Sequence, residues 1–455
     1  MERTSELSAP TPAAGEGRAD PYLLVSVDGH VGPSLMTQLR PYCPSSYLES
    51  FDSYAHAVKQ VARGEVSSVN SSQANVEFEL RGPEVAKLLA RPPELDAHDA
   101  HDALRARRRA WECEGQQDPH ARHRDMDADG IAADVIFAGG QNGEVLPFLL
   151  FGFEQGSAQV DLELRTVGSH IYNSWLADFV SAAPERHVGV MQVAIADVDS
   201  AVAELGWGRE AGLRAVNLPA PQRESAPYTD PAYESFWAAC EDLDIPLLTH
   251  TGGGDPAHGI DGPMGIALTQ MEMRFMSRRG LWQLILGGVF ERHPRLKIMF
   301  TENGVTWLED TLRDLDSLYF SESHRYLRDA LSLSPSQYWT RNCFIGGSFL
   351  APYEVAARDV VGIRNLCWGS DYPHTEGTWP NTRLALRHTF ANVPEAETRL
   401  ILGENALSFF DLDEAALRPI ADRIGPHPSD LAQPLRQDEF PAFRGFAFRE
   451  RGAVS

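Results

Sequence analysis

Several protein classes are excluded by what this 455-residue chain has little of. Its five cysteines, at positions 43, 113, 240, 343 and 367, form no CxxC pair, and an odd number cannot all pair within one chain. Such usage suits a reducing compartment, and the expected location is cytoplasmic. No apolar run approaches the roughly 20 residues needed to span a bilayer, so no membrane partner is expected. Positive charge is scarce: 40 Lys and Arg face 64 Asp and Glu, a formal net charge of −24. Phosphate backbones are held by clustered cations that release counterions, so nucleic acid is not expected as a partner either. The one basic cluster, RARRRA at residues 105–110, is short and reads as a solvated helix face. Residues 1–20 mix charges with small residues and lack an apolar core, so they are expected to form a disordered tail rather than a secretion signal.

What is present is an alternation of short β-rich runs with amphipathic helical patterns, the signature of parallel strands joined by helical crossovers. Eight strand candidates fall at residues 22–27, 134–138, 188–193, 213–218, 246–250, 296–301, 342–346 and 365–370. Between them, Val160, Leu164, Val167, Ile171, Trp175 and Phe179 recur at helical spacing, and Asp230-Pro231 opens another helix as cap and first-turn proline. The expected fold is an α/β (β/α)8 TIM barrel over residues 21–412, with a long insertion after strand 1 and a C-terminal extension at 413–455. The insertion, residues 31–125, is too long for a strand-to-helix loop; it includes an expected helix at 54–63 and should hang over the barrel mouth. His98 and His101 within it read as a solvated helix face rather than a metal site.

In such barrels the functional residues sit at the C-terminal ends of the strands. Strand one ends in Asp28-Gly29-His30, strand five in His250 followed by three glycines, strand six in Glu302, and strand eight in Asp371. Taken alone, Asp371 could cap a helix, hold a local hydrogen bond or bind a metal. Residues two apart on a strand share a face, so Asp28 and His30 can reach one ion. With His250 and Asp371 they make a four-ligand set of two imidazoles and two carboxylates. A lesser alternative for Glu302 is an acid at a helix N-terminus before Val305.

Several phrases together resemble a known family: Asp28-Gly29-His30, MDADGIAADVIF at 126–137, His250 with its glycines, GVFERHPRLKIMFTENGVTWL at 288–308, WGSDYPHTEGTWP at 368–380 and LILGENALSFFDL at 400–412. They are similar to the amidohydrolase-related family, metal-dependent hydrolases and decarboxylases of the aminocarboxymuconate semialdehyde decarboxylase type. The resemblance implies metal ligands at Asp28, His30, His250 and Asp371, with Asp28 standing where the family has His or Glu. The catalytic histidine on the sixth strand of the decarboxylases falls on Glu302. Binuclear relatives need a carboxylated lysine or similar group after strand four, where this chain has Val216-Asn217-Leu218-Pro219, so one divalent ion is expected. The donor set fits zinc, and manganese or iron accept the same mixture.

The expected activity is hydrolysis of an amide or related carbon–nitrogen bond by metal-activated water. Asp371 and Glu302 would be the catalytic acid/base residues, and His374 and Trp379 the contacts to a small-molecule or peptide-like substrate. The alternative is metal-dependent nonoxidative decarboxylation of an aromatic or unsaturated carboxylic acid. A homodimer is expected from family habit.

Overall fold

Eight parallel strands close into a barrel in the computed structural model, which describes residues 20–63, 68–73, 76–81, 102–149, 158–221, 226–252 and 263–450. They are β1 (Leu24–Ser26), β2 (Ile131–Ala138), β3 (His187–Met191), β4 (Ala215–Asn217), β5 (Leu247–His250), β6 (Ile298–Thr301), β7 (Cys343–Ser348) and β8 (Leu366–Gly369), paired in that order. The ring closes where the Val27 N–H donates to the Trp368 carbonyl at 3.0 Å and Gly29 bridges Tyr372. Each of these eight overlaps a predicted strand. β2 starts three residues earlier than expected, because Gly130, at φ 86°, ends the helix Pro119–Asp129 and delivers the chain straight into Ile131.

Side chains alternate along each strand between two buried layers. Val25, Val135, Val188, Val190, Leu248, Met299 and Cys367 form one layer. Leu248 shares its side of β5 with His250, two residues on, so this layer lines the barrel interior below the mouth. Leu24, Ile136, Leu247, Ile298 and Leu366 face the surrounding helices. Among these are Leu162–Val180, which carries the predicted stripe, and Glu234–Asp242, entered through Asp230, whose carboxylate accepts the Ala232 N–H at 2.9 Å.

The insertion holds helices Leu48–Ala62 and Asp102–Trp111 and a hairpin, Ser68–Gln73 with Val76–Arg81, extended to three strands by Ala158–Val160. Arg105, Arg107, Arg108 and Arg109 are exposed on the second helix, while Ala106 and Ala110 are buried, so the basic cluster is a solvated face. His98, His101 and residues 1–19 lie outside the described residues. The C-terminal extension folds back on its own barrel: Ala447 and Phe448 cluster with Phe349 and Ala385, and Arg449 pairs with Glu354. Among the described residues no helix is long and apolar enough to cross a membrane.

Candidate metal centre

The barrel mouth is organised by backbone before any side chain is placed. Asp371 N–H donates to the Asp28 carbonyl at 2.9 Å, and the Ser26 hydroxyl both donates to that carbonyl, at 2.7 Å, and accepts the Ser370 N–H, at 2.8 Å. The ends of the first and last strands are thereby locked together. Asp371 and Glu302 both sit in the left-handed region, at φ 57° and 58°, within two residues of the ends of β8 and β6. For non-glycine residues this costs roughly 1–3 kcal/mol each and persists where the surroundings over-determine the conformation. Here it turns both carboxylates toward one another, within 4.8 Å.

His30 and His250 have their tautomers set by carbonyls. The Nδ1 of His30 donates to the Ala138 carbonyl at 2.7 Å, and that of His250 to the Thr251 carbonyl. A carbonyl only accepts, so each ring carries its proton on Nδ1 and aims Nε2 at the carboxylates. His30 Nε2 lies 3.3 Å from Asp28 Oδ1 and 3.2 Å from Asp371 Oδ1. His250 Nε2 lies 3.3 Å from the same Asp28 oxygen and 3.7 Å from Glu302 Oε2. Asp28, His30 and Asp371 are fully buried, and His250 is 4% exposed. The Asp371 Oδ2 is buried with no hydrogen-bond partner among the described residues.

Electrostatics follow from this crowding. Burial alone would push the Asp28 carboxyl up, but His250 and His30 hold it well below the usual range. Burial, then the Asp371 charge, push Glu302 well above its ordinary value. His374, despite burial and because of Asp371, rises to about 10. The protein thus gathers more acid at one point than its imidazoles neutralise. A buried, unpartnered carboxylate oxygen beside two imidazoles of fixed tautomer is the environment a divalent cation completes, so the residues present fit such an ion. At the end of β4, Asn217 donates to Gln192 at 3.1 Å, and no lysine stands there.

Six of the seven predicted site residues meet: Asp28, His30, His250, Glu302, Asp371 and His374. Glu302 is not a helix-capping acid, since the next helix begins at Leu308. His374 stacks on His30 with ring centres 4.0 Å apart; its Nδ1 is 2.9 Å from Asp371, and its Nε2 is 2.9 Å from the Gly139 carbonyl. It buttresses the cluster. Trp379 stands apart, its ring against Tyr372 at 5.2 Å and beneath Arg109 at 5.7 Å. Two residues escape sequence reasoning. Ser348 donates to Asp28 Oδ2 from the end of β7, a strand expected to stop at residue 346. Glu376 joins Glu302 and Asp371 within 4.8 Å, two residues after His374 in the same loop.

The amidohydrolase family model matches residues 151–412 of this chain. That spans more than half of it, and the chain belongs to the amidohydrolase family. No curated protein sequence matches it. Solved structures align across the barrel. One is an amidohydrolase from Mycobacterium avium subsp. paratuberculosis, at 17% identity and TM-score 0.58, covering 87% of this chain and 99% of that one. Another is 5-carboxyvanillate decarboxylase from Novosphingobium aromaticivorans, complexed with manganese and 4-hydroxy-3-methoxy-5-nitrobenzoic acid, at 19% identity, TM-score 0.59 and coverage of 86% and 96%. A third is a dihydroxybenzoic acid decarboxylase from a Polaromonas species, with bound manganese and 2-nitroresorcinol, at 17% identity, TM-score 0.53 and coverage of 87% and 99%. At such identities the likeness is one of fold.

Proposed function

We propose that the chain is a metal-dependent decarboxylase of an aromatic carboxylic acid, with Asp28, His30, His250 and Asp371 holding one divalent ion, zinc or manganese. The observation that carries this reading is the Asp371 carboxylate: buried, turned inward by a left-handed backbone, with Oδ1 3.2 Å from His30 Nε2 and Oδ2 unpartnered. Support comes also from the manganese-binding aromatic acid decarboxylases that share the barrel. This reverses the order expected from sequence, where hydrolysis stood first.

When bound, a divalent cation supplies a Lewis acid for a carboxylate or phenolate oxygen of the substrate. Asp371 would relay the proton that the reaction consumes. Its transfer to the ring carbon forms a C–H bond from a ring π pair; the C–C bond to the carboxylate breaks, its electron pair restores the ring, and CO2 leaves. Glu302 and Glu376, the less buried acids of the cluster, would return a proton from solvent to Asp371. His374, braced between Gly139 and Asp371, keeps that carboxylate aimed.

The test is incubation of the purified, metal-loaded chain with 2,6-dihydroxybenzoate, 5-carboxyvanillate, and a panel of amides and lactones. CO2 release, with one deuterium from D2O at the vacated ring carbon, is expected. Cleavage of an amide with incorporation of ¹⁸O from water, and no CO2, would replace this reading by hydrolysis. One observation favours that second reading: Glu302 stands where the resemblance places a histidine in the decarboxylases. We further propose a homodimer, which light scattering tests.

A further inference from the structure

At the opposite end of the barrel lies a cleft of about 440 Å³, within the usual size range of small-molecule sites. It is built by the residues that lead into β4, β5 and β6 and by the helix Asn405–Phe410. These strands run three or four residues at about 3.3 Å each, which sets the cleft roughly 10–15 Å below the ends that carry His250 and Glu302.

The charge of this cleft runs against that of the chain. Arg209, Arg214, Arg295 and Lys297 line it, in a protein of net charge −24. Arg295 is engaged, its guanidinium 3.7 Å from Asp242. Arg209, Arg214 and Lys297 have no carboxylate within ion-pair distance among the described residues; Lys297 Nζ reaches only the Ser408 carbonyl at 3.5 Å and lies 5.8 Å from the Phe409 ring centre. Three acids also face the cleft. Glu241 is occupied, accepting the Arg295 N–H at 2.7 Å and facing His293 at 3.4 Å. Asp244 and Asp411 are exposed residues of left-handed turns at its rim. Phe409 and Phe410 are buried and supply an apolar wall.

Four cations against three acids line the cavity, and the three cations without an ion-pair partner repel each other unless an anion joins them. We propose that this cleft binds a small organic or inorganic anion carrying at least two negative charges, its charged oxygens held by Arg209, Arg214 and Lys297. A phosphate ester and a dicarboxylate share this chemistry.

Equilibrium dialysis of the full-length, metal-loaded chain against labelled inorganic phosphate in one arm and labelled succinate in the other, at low ionic strength, distinguishes the two sources. Saturable binding of about one anion per chain is expected in at least one arm. Affinity should fall at least fivefold in Arg214→Ala and in Arg209→Ala, the latter an exposed helix position whose replacement leaves folding intact. Raising salt should weaken binding in the same direction. Absence of saturable binding in both arms overturns the proposal. So does binding that both variants retain at full strength, which would place the anion elsewhere. None of these readouts involves turnover, so failure here and failure of the decarboxylase reading are distinguishable.

Discussion

Asp371 donates its backbone N–H to the carbonyl of Asp28 at 2.9 Å, so two acids from opposite ends of the chain are registered by main-chain geometry rather than by their own charges. Their carboxylates flank one imidazole nitrogen, His30 Nε2, at 3.3 and 3.2 Å, an arrangement that invites a cation or a proton among them.

Replacing Asp371 by Asn keeps the shape and removes both the charge and the proton-carrying oxygen. Turnover is expected to fall by two to four orders of magnitude, the range for loss of a general acid. Steady-state kinetics of D371N beside the wild type, with metal content measured on both, checks this. Full turnover in the variant would remove Asp371 from the chemistry.

Dialysis against a chelator should abolish activity, and added manganese or zinc should restore it. Because an ion that binds only the folded chain stabilises it by mass action, the thermal midpoint should drop on stripping and recover on reloading. A midpoint indifferent to both treatments argues against a bound ion.

Arg122 supports the site from behind. Its Nη1 donates to the His30 carbonyl at 2.8 Å, its Nη2 pairs with Asp134 at 2.7 Å, and its guanidinium lies 4.8 Å from the Tyr372 ring centre. Arg122→Met leaves the buried Asp134 with His187 alone, so the chain should lose about 3–5 kcal/mol in urea unfolding. Metal affinity should fall by about 10- to 100-fold as His30 loses its brace.

Asp129 offers a pH test outside the proposed ligand set, at the end of a hydrogen-bond chain through Thr382 and Thr378 to the Ser370 carbonyl. Burial pushes its carboxyl up to about 7, against the hydrogen bond donated by Thr382. A folded-state value above the unfolded one makes a contribution that is complete below about pH 4 and is lost as pH rises through about 7. At about 1.4 kcal/mol per tenfold step in proton affinity, the wild type should lose up to about 4 kcal/mol over that window relative to Asp129→Asn. Urea midpoints of the two chains should therefore differ more at pH 8 than at pH 5, in favour of the variant.

Gly369 leaves β8 against the first strand, where an added Cβ would meet the Asp28 Cβ at 2.6 Å. Gly369→Ala should displace Asp28 and cost metal affinity, read by competition with a chromogenic chelator. Gly206, inside the helix Val198–Glu210, has nothing within 4 Å of an added Cβ. Gly206→Ala should leave affinity unchanged and stabilise the chain by roughly 0.5–1 kcal/mol.

The barrel was legible because its strands are buried on both faces and bounded by polar turns: Leu247, Leu248, Thr249 and His250 read as a strand and its functional end at once. Asp28, His30, His250 and Asp371 could be chosen because strand ends converge in this architecture whatever the helices do. The role of Ser348 was hidden, because a serine as the last residue of a strand carries no periodic signal. The surroundings of Trp379 were not legible: its place in a motif-rich loop suggested substrate, and its ring lies against Tyr372 and Arg109 of the insertion. The hairpin at Ser68–Gln73 was missed because its polar run, SVNSSQ, has no apolar alternation; its backbone pairs with Val76–Arg81 instead.

The clasp between the first and last strands also sets a timetable. Asp28 and Ser370 meet across 342 residues of chain, so the proposed four-residue site lacks Asp371 until the last barrel strand has left the ribosome. An ion held by all four residues would therefore be gripped in full only late in synthesis, and its identity would depend on which metals the surrounding compartment offers at that moment.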